Sequence, residues 1–153
     1  MTRATAYNYA LNLLSARPYA TKALHRKLIQ KQYSAADADD AIRRLVDAGL
    51  LDDAKYAAQY ARSKIVSSGT SKRRLQQDLY RKGIKPDVSA AAISQVIADE
   101  EIDTAVVVEQ VARKKLAQLG DHEPLVLRRR LFAFLARRGY DVDEIKSVVA
   151  RLV

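Results

Sequence analysis

The chain has 153 residues, 27 Lys plus Arg against 18 Asp plus Glu, a formal net charge of +9 and no Cys. That length allows one ordinary domain or a few very small ones, and the missing thiols exclude disulfides and thiolate-held metal. The positive excess says nothing of the fold but points to an anionic partner: nucleic acid, a nucleoprotein or an acidic protein surface.

Ala is the commonest residue, with only two Phe and no Trp, so any core is thin and suits small helical units. Five Gly and three Pro leave few places to turn, which again favours helices. The opening "MTRATAYNYALNLLSAR" lacks the long apolar run of a signal peptide, and no stretch approaches the roughly eighteen residues of a membrane span. The expectation is a soluble cytoplasmic protein with no membrane partner.

In chain order, Tyr7, Ala10, Leu11 and Leu14 recur at helical spacing until Pro18 ends the run. Thr21 is placed to cap a short helix carrying Leu24 and Leu28 on one face. Ser34, with Asp37 three residues on, opens a third helix through Ala38, Ile42 and Leu45, and Gly49 suits its left-handed end. Asp52 is placed to cap the fourth helix, with Asp53 near its positive dipole end and Leu51 and Tyr56 at the spacing of a hydrophobic staple. The Asp52-Asp53 pair therefore reads as punctuation between helices rather than as catalytic carboxylates, since no convergent His, metal-ligand set or phosphate loop accompanies it.

Tyr56, Ala57, Tyr60 and Ala61 make that fourth helix, which "SSGTS" (67–71) breaks. Leu75 and Leu79 belong to the fifth, ended by Gly83, and Pro86 begins a sixth through Val88, Ala92, Val96 and Ile97. Ala105, Val108, Ala112 and Leu119 mark a longer helix up to Gly120. The "AVVV" at 105–108 favours strand by propensity but is overruled by the helical period around it. After the loop "GDHEP", Leu127, Leu131, Phe134 and Leu135 share a face before Gly139. Asp141 with Glu144 starts the closing helix through Ile145, Val148 and Leu152.

Three segments align. Leu24, Leu75 and Leu131 correspond, as do Leu28, Leu79 and Leu135; Lys31, Lys82 and Arg138; Tyr33, Ile84 and Tyr140; and Ile42, Ile93 and Val149. The order is kept over twenty residues at offsets of 51 and 56, so the chain reads as one small helical block used three times. The fold class is all-α: three tandem three-helix repeats, at 1–53, 54–103 and 104–153, forming an elongated, curved molecule.

Charge follows the repeats. Residues 55–85 hold nine Lys or Arg against Asp78 alone, 86–109 hold six acids and no base, and 110–138 hold eight bases against two acids. Lys72, Arg73 and Arg74 match Arg128, Arg129 and Arg130, while Arg81 and Lys82 match Arg137 and Arg138. The first repeat has a thinner version in Lys22, Arg26, Lys27 and Lys31. Cations in a first helical turn oppose the dipole at about 0.3–1 kcal/mol each, and Lys72, Arg73 and Arg74 fall there. Arg74 and Arg81 also share one side of their helix, away from Leu75 and Leu79. These ten residues form the candidate interaction surface, set against the plainer reading of a solvated face. Tyr80 reads as a packing residue rather than a base-stacking one, and His25 and His122, far apart in sequence, as ordinary surface residues. No motif asks for a metal or a cofactor.

With the repeats and "GLLDDAKYA" (49–57) in hand, the sequence resembles the RecX family of bacterial regulators of the RecA recombinase. "GTSKRRLQQDLYRKGI" (69–84) is similar to the family's second-repeat pattern, and "FLARRGYDVDEI" (134–145) to its third-repeat ending. The chain departs in Leu50, where Tyr or Phe is common, and in Ser71, where Pro is frequent. The resemblance implies tandem three-helix repeats that lie in the groove of the RecA–DNA filament. It implies inhibition of strand exchange and co-protease activity, which damps recombination and the SOS response. It also implies no catalytic residue and no cofactor; a monomer is expected. The alternative reading is a non-specific DNA-binding helical module, for which the Gln76-Gln77 pair comes nearest to a recognition set.

Overall fold

The computed structural model describes residues 2–153, and among them nine helices and no strand occur. They are α1 (Ala6–Ala16), α2 (Thr21–Gln30), α3 (Ala35–Asp47), α4 (Asp53–Ser68), α5 (Lys72–Arg81), α6 (Pro86–Asp99), α7 (Thr104–Leu119), α8 (Pro124–Arg137) and α9 (Val142–Leu152). The all-α expectation holds, including the valine run of α7, where packing of Val108 (2% exposed) overrides strand propensity.

The helix boundaries follow from local chemistry. Ser34 Oγ accepts from Asp37 N at 3.1 Å, Asp52 Oδ1 from Ala54 N at 2.9 Å, and Asp103 Oδ1 from Ala105 N at 3.0 Å, each satisfying a donor the helix leaves open. Thr5 does the same for α1, accepting from Asn8 N at 3.2 Å. Thr21 does not cap α2. Ala20 occupies that place with no side-chain bond, Thr21 is already helical, and its N–H donates to Asp53 Oδ1 at 2.8 Å.

The repeated residues mark a repeated stop. Leu28 O accepts from Tyr33 N (3.2 Å), Leu79 O from Ile84 N (3.0 Å) and Leu135 O from Tyr140 N (3.3 Å). This is the Schellman pattern, in which the apolar residue beyond the turn packs back toward the leucine whose carbonyl it satisfies. All three leucines are fully buried. Lys31, Lys82 and Arg138 follow the last helical residue in each case, at the negative end of the dipole, where a cation is favourable.

The chain forms two compact units. The first comprises residues 2–59 with 78–92, so it takes in α1 to α3 and parts of α4, α5 and α6. Its core is Ala6, Ala10, Tyr19, Leu24, Leu28, Ala38, Ala41, Leu45 and Leu51. Small alanines on α1 and α3 let those helices pack closely, and each fully buried leucine contributes about 1.5–3 kcal/mol. Asp52 and Asp53 both serve here, the first holding the start of α4 and the second the start of α2.

The second unit comprises residues 60–77 with 93–153. Val108, Ala112, Leu131, Leu135, Tyr140, Ile145, Val148 and Val149 form its core, with α7, α8 and α9 packed pairwise. The loop after α4 is fastened to the turn after α8. Ser71 Oγ donates to Arg138 O at 2.9 Å, Arg138 Nη2 donates to Ser68 O at 2.6 Å, and the buried Tyr140 hydroxyl donates to Gly69 O. A Cβ at Gly139 would lie 2.9 Å from Ser71 Oγ. The first unit holds the equivalent seam: a Cβ at Gly83 would lie 2.6 Å from Lys22 Cδ, and Lys22 aligns with Arg73 as Gly83 does with Gly139.

Candidate interaction surface

Helix α5, "KRRLQQDLYR", is ten residues long and about 15 Å in length, too short to be stable alone. Leu75 and Leu79 are its only fully buried residues. Ser71 starts it, accepting from Arg74 N at 3.2 Å. Lys72, Arg73 and Arg74 then occupy the first turn, all exposed, as expected. The open N–H groups at that end carry partial positive charge, which opposes the three cations, while the Glu144 carboxyl attracts Lys72.

Helix α8 differs. It begins at Pro124, so Arg128, Arg129 and Arg130 sit in its second turn, beyond the steepest part of the dipole. Arg128 Nη2 donates to Val153 O at 3.0 Å and Arg130 Nη1 to His122 Nε2 at 3.2 Å. Arg81 is exposed, with Asp78 at 4.0 Å one turn away. Lys82 and Arg138 are half-buried at helix ends, and Arg138 is also held by Ser68 O and lies 5.5 Å from the Phe134 ring centroid. The second unit brings Arg73 beside the Arg138-Gly139 turn, since its Cβ would be 3.8 Å from a Cβ on Gly139. Arg73, Arg129 and Arg137 enter no side-chain ion pair among the described residues.

The first repeat engages several of its cations internally. Arg3 lies 4.1 Å from the Tyr33 ring centroid, Arg17 3.9 Å from that of Tyr19, and Arg44 4.0 Å from that of Tyr7. Lys31 lies over Tyr9 at 5.5 Å, and the Lys22 stem covers Gly83. Cation–π contact and stem packing account for these residues without any partner.

Acidic groups temper one edge of the surface. A cavity of about 490 Å³ in the second unit is lined by Lys72, Arg73, Asp141 and Glu144 above an apolar floor including Ile65 and Val108. Burial and the neighbouring Asp141 push the Glu144 carboxyl up, against the opposing pull of Lys72. Burial likewise pushes the Tyr140 phenol up, so it stays protonated as the donor to Gly69 O. His25 Nε2 lies 2.8 Å from Asp39 Oδ1, an exposed pair. Among the described residues no group of His, Cys, Asp and Glu is arranged to hold a metal ion, and no helix is long and apolar enough to cross a membrane.

Sequence reasoning missed the internal duties of Arg138 and Ser71, both of which depend on residues about seventy positions apart being neighbours. The only local hint was Ser71 itself, a good capping residue directly before a helix.

An all-α chain with three successive three-helix blocks is, in class, a tandem three-helix-domain protein. Family models described as the first, second and third three-helix domains of RecX match residues 6–45, 52–93 and 101–149 respectively. The chain belongs to the RecX family. It is 38% identical over 149 residues to a regulatory protein RecX of Mycobacterium sp. (strain KMS), covering 94% of this chain and 79% of that protein. It is 36% identical over 149 residues to one of Actinobacillus pleuropneumoniae serotype 5b (strain L20), covering 97% and 93%. The fold superposes on the crystal structure of RecX from Lactobacillus salivarius with a TM-score of 0.85 at 22% identity, over 96% of this chain and 94% of that one.

Proposed function

We propose that this chain is a non-enzymatic regulator that binds the RecA–DNA filament and inhibits both strand exchange and co-protease activity, so modulating DNA repair, recombination and the SOS response. Membership of a family of regulatory proteins supports the class. The observation that carries the binding mode is the exposed triplet Lys72, Arg73 and Arg74 in the first turn of α5, where the helix dipole disfavours it. Arg73, exposed in that turn and outside every ion pair among the described residues, is the member of the triplet most readily explained by an anionic partner. Together with Arg81, Lys82, Arg128, Arg129, Arg130, Arg137 and Arg138, the triplet meets acidic protein surface, exposed phosphate or both. Tandem domains at 1–53, 54–103 and 104–153 would each contribute weak contacts that add by effective concentration. The protein acts as a cytoplasmic monomer in this reading, and no residue is catalytic.

The test is RecA-driven ATP hydrolysis and strand exchange on single-stranded DNA with this protein added below stoichiometry. Both rates are expected to fall. Unchanged rates at a large molar excess would overturn the reading. The second reading, a direct DNA-binding module, is favoured by the cation block of α5 alone. Labelled DNA titrated without recombinase at two salt concentrations separates the two: tight, sequence-dependent binding to DNA alone supports the module, whereas weak binding with steep salt dependence accords with the filament reading.

A further inference from the structure

One face of the second unit carries a groove of about 450 Å³ between the end of α4, the middle of α7 and the end of α8. Its floor is apolar, made by Val107, Val111 and Phe134. Val66 is 75% exposed, so a large aliphatic side chain stands at the mouth with little to cover it. The charged groups that line it are Lys114, Lys115 and Arg138; among the described residues no carboxylate does. This contrasts with the cavity beside Lys72, where Asp141 and Glu144 balance the bases.

The arrangement discriminates between anionic partners. Lys115 Nζ lies 4.7 Å and Arg138 Cζ 5.5 Å from the Phe134 ring centroid. The one aromatic face in the groove is thus already engaged by cations and offers no free platform for a nucleobase. Arg138 is fixed by its bond to Ser68 O, so its charge is held in place before anything binds. The amides of Gln110 and Gln118 line the same groove and can pair with an extended backbone.

We propose that this groove docks an extended acidic peptide segment bearing an apolar side chain. The side chain lies on Val66 and Val111, and carboxylates on either side of it meet Lys114, Lys115 and Arg138. Apolar contact sets the register and the three cations select for negative charge. The assignment is independent of which macromolecule the α5 cations meet.

The test is fluorescence anisotropy of the intact chain with a labelled peptide DEDFDED, with labelled oligothymidylate in a parallel arm. Saturable peptide binding is expected, weakened on the order of tenfold by Lys114→Glu with Lys115→Glu. Val66→Ser, and a peptide with Ser in place of Phe, are each expected to weaken it severalfold. Val66 is exposed, so that variant keeps the fold, which circular dichroism verifies; Lys114→Glu alone replaces the double reversal if the latter loses helicity. Absence of saturable peptide binding overturns the proposal. So does binding indifferent to both Val66→Ser and loss of the Phe, which would leave charge alone. Loss of oligothymidylate rather than peptide affinity in Val66→Ser would assign the groove to nucleic acid and equally overturn it.

Discussion

Asp53 Oδ1 accepts the backbone N–H of Thr21 at 2.8 Å, so a carboxylate at the start of α4 terminates the open end of α2, thirty-two residues earlier. Asp53→Ala is expected to lower stability by about 1–2 kcal/mol, since an orphan helix donor is left in a part-buried site. Asp52→Ala should cost about 1 kcal/mol through α4. Thr21→Ala should stay within about 0.5 kcal/mol, because the hydroxyl has no capping role. Urea denaturation of the three variants checks the order; a large loss at Thr21 would contradict the structure.

Leu79 is fully buried and its carbonyl closes the α5 stop. Leu79→Ala should cost about 2–5 kcal/mol in chemical denaturation. A loss under about 1 kcal/mol would mean that α5 is held by something other than its two leucines.

Gly49 and Gly139 separate conformational strain from crowding. Both have positive φ, +73° and +90°, but a Cβ on Gly49 would meet nothing within 4 Å whereas one on Gly139 would strike Ser71 Oγ. Gly49→Ala is expected to cost about 1 kcal/mol. Gly139→Ala should cost about 1–2 kcal/mol more, because Ser71 must also release Arg138 O. Thermal melts of the two variants give the comparison directly.

Glu144 tests the electrostatics of α9. Its raised folded-state pKa, caused first by burial and then by Asp141, means that the fold prefers the protonated form. The stabilisation is complete below the ordinary carboxylate range and is lost as pH rises through the raised value. Relative to Glu144→Gln, the parent chain should therefore lose ground in Tm as pH rises upward from the ordinary carboxylate range. The opposite trend would show that the helix dipole, which favours the carboxylate, wins.

Reversing Arg73, Arg74 and Arg81 to Glu should have opposite effects on fold and binding. The Arg73 reversal, in the first turn of α5, should stabilise the helix by about 0.3–1 kcal/mol. Affinity for the recombinase filament, measured by the protein needed for half-inhibition of ATP hydrolysis, should fall by about tenfold or more. Unchanged inhibition would reduce the patch to a solvated face.

Most of the architecture was legible because helix boundaries are set by neighbours in sequence. Asp52, Ser34 and Asp141 act on amides two or three residues away, and the Leu28–Tyr33, Leu79–Ile84 and Leu135–Tyr140 stops each span five residues. The illegible part depends on non-local geometry. Thr21 carries a good capping side chain, yet the carboxylate that satisfies its N–H comes from α4. Arg138 counted as one more positive residue in a block, yet its guanidinium is tied to Ser68 O. Charge counting registers how many cations exist but not which are already engaged, and in the first repeat the tyrosines had claimed several.

The seam in which a helix start rests on a downstream glycine turn occurs twice, as Lys22 against Gly83 and as Ser71 against Gly139. Each middle copy of the pattern thus offers a plug at one end and a socket at the other. Both joints are built the same way, a side chain at a helix start against a glycine turn, so a copy placed between two others needs only that one kind of contact on each side.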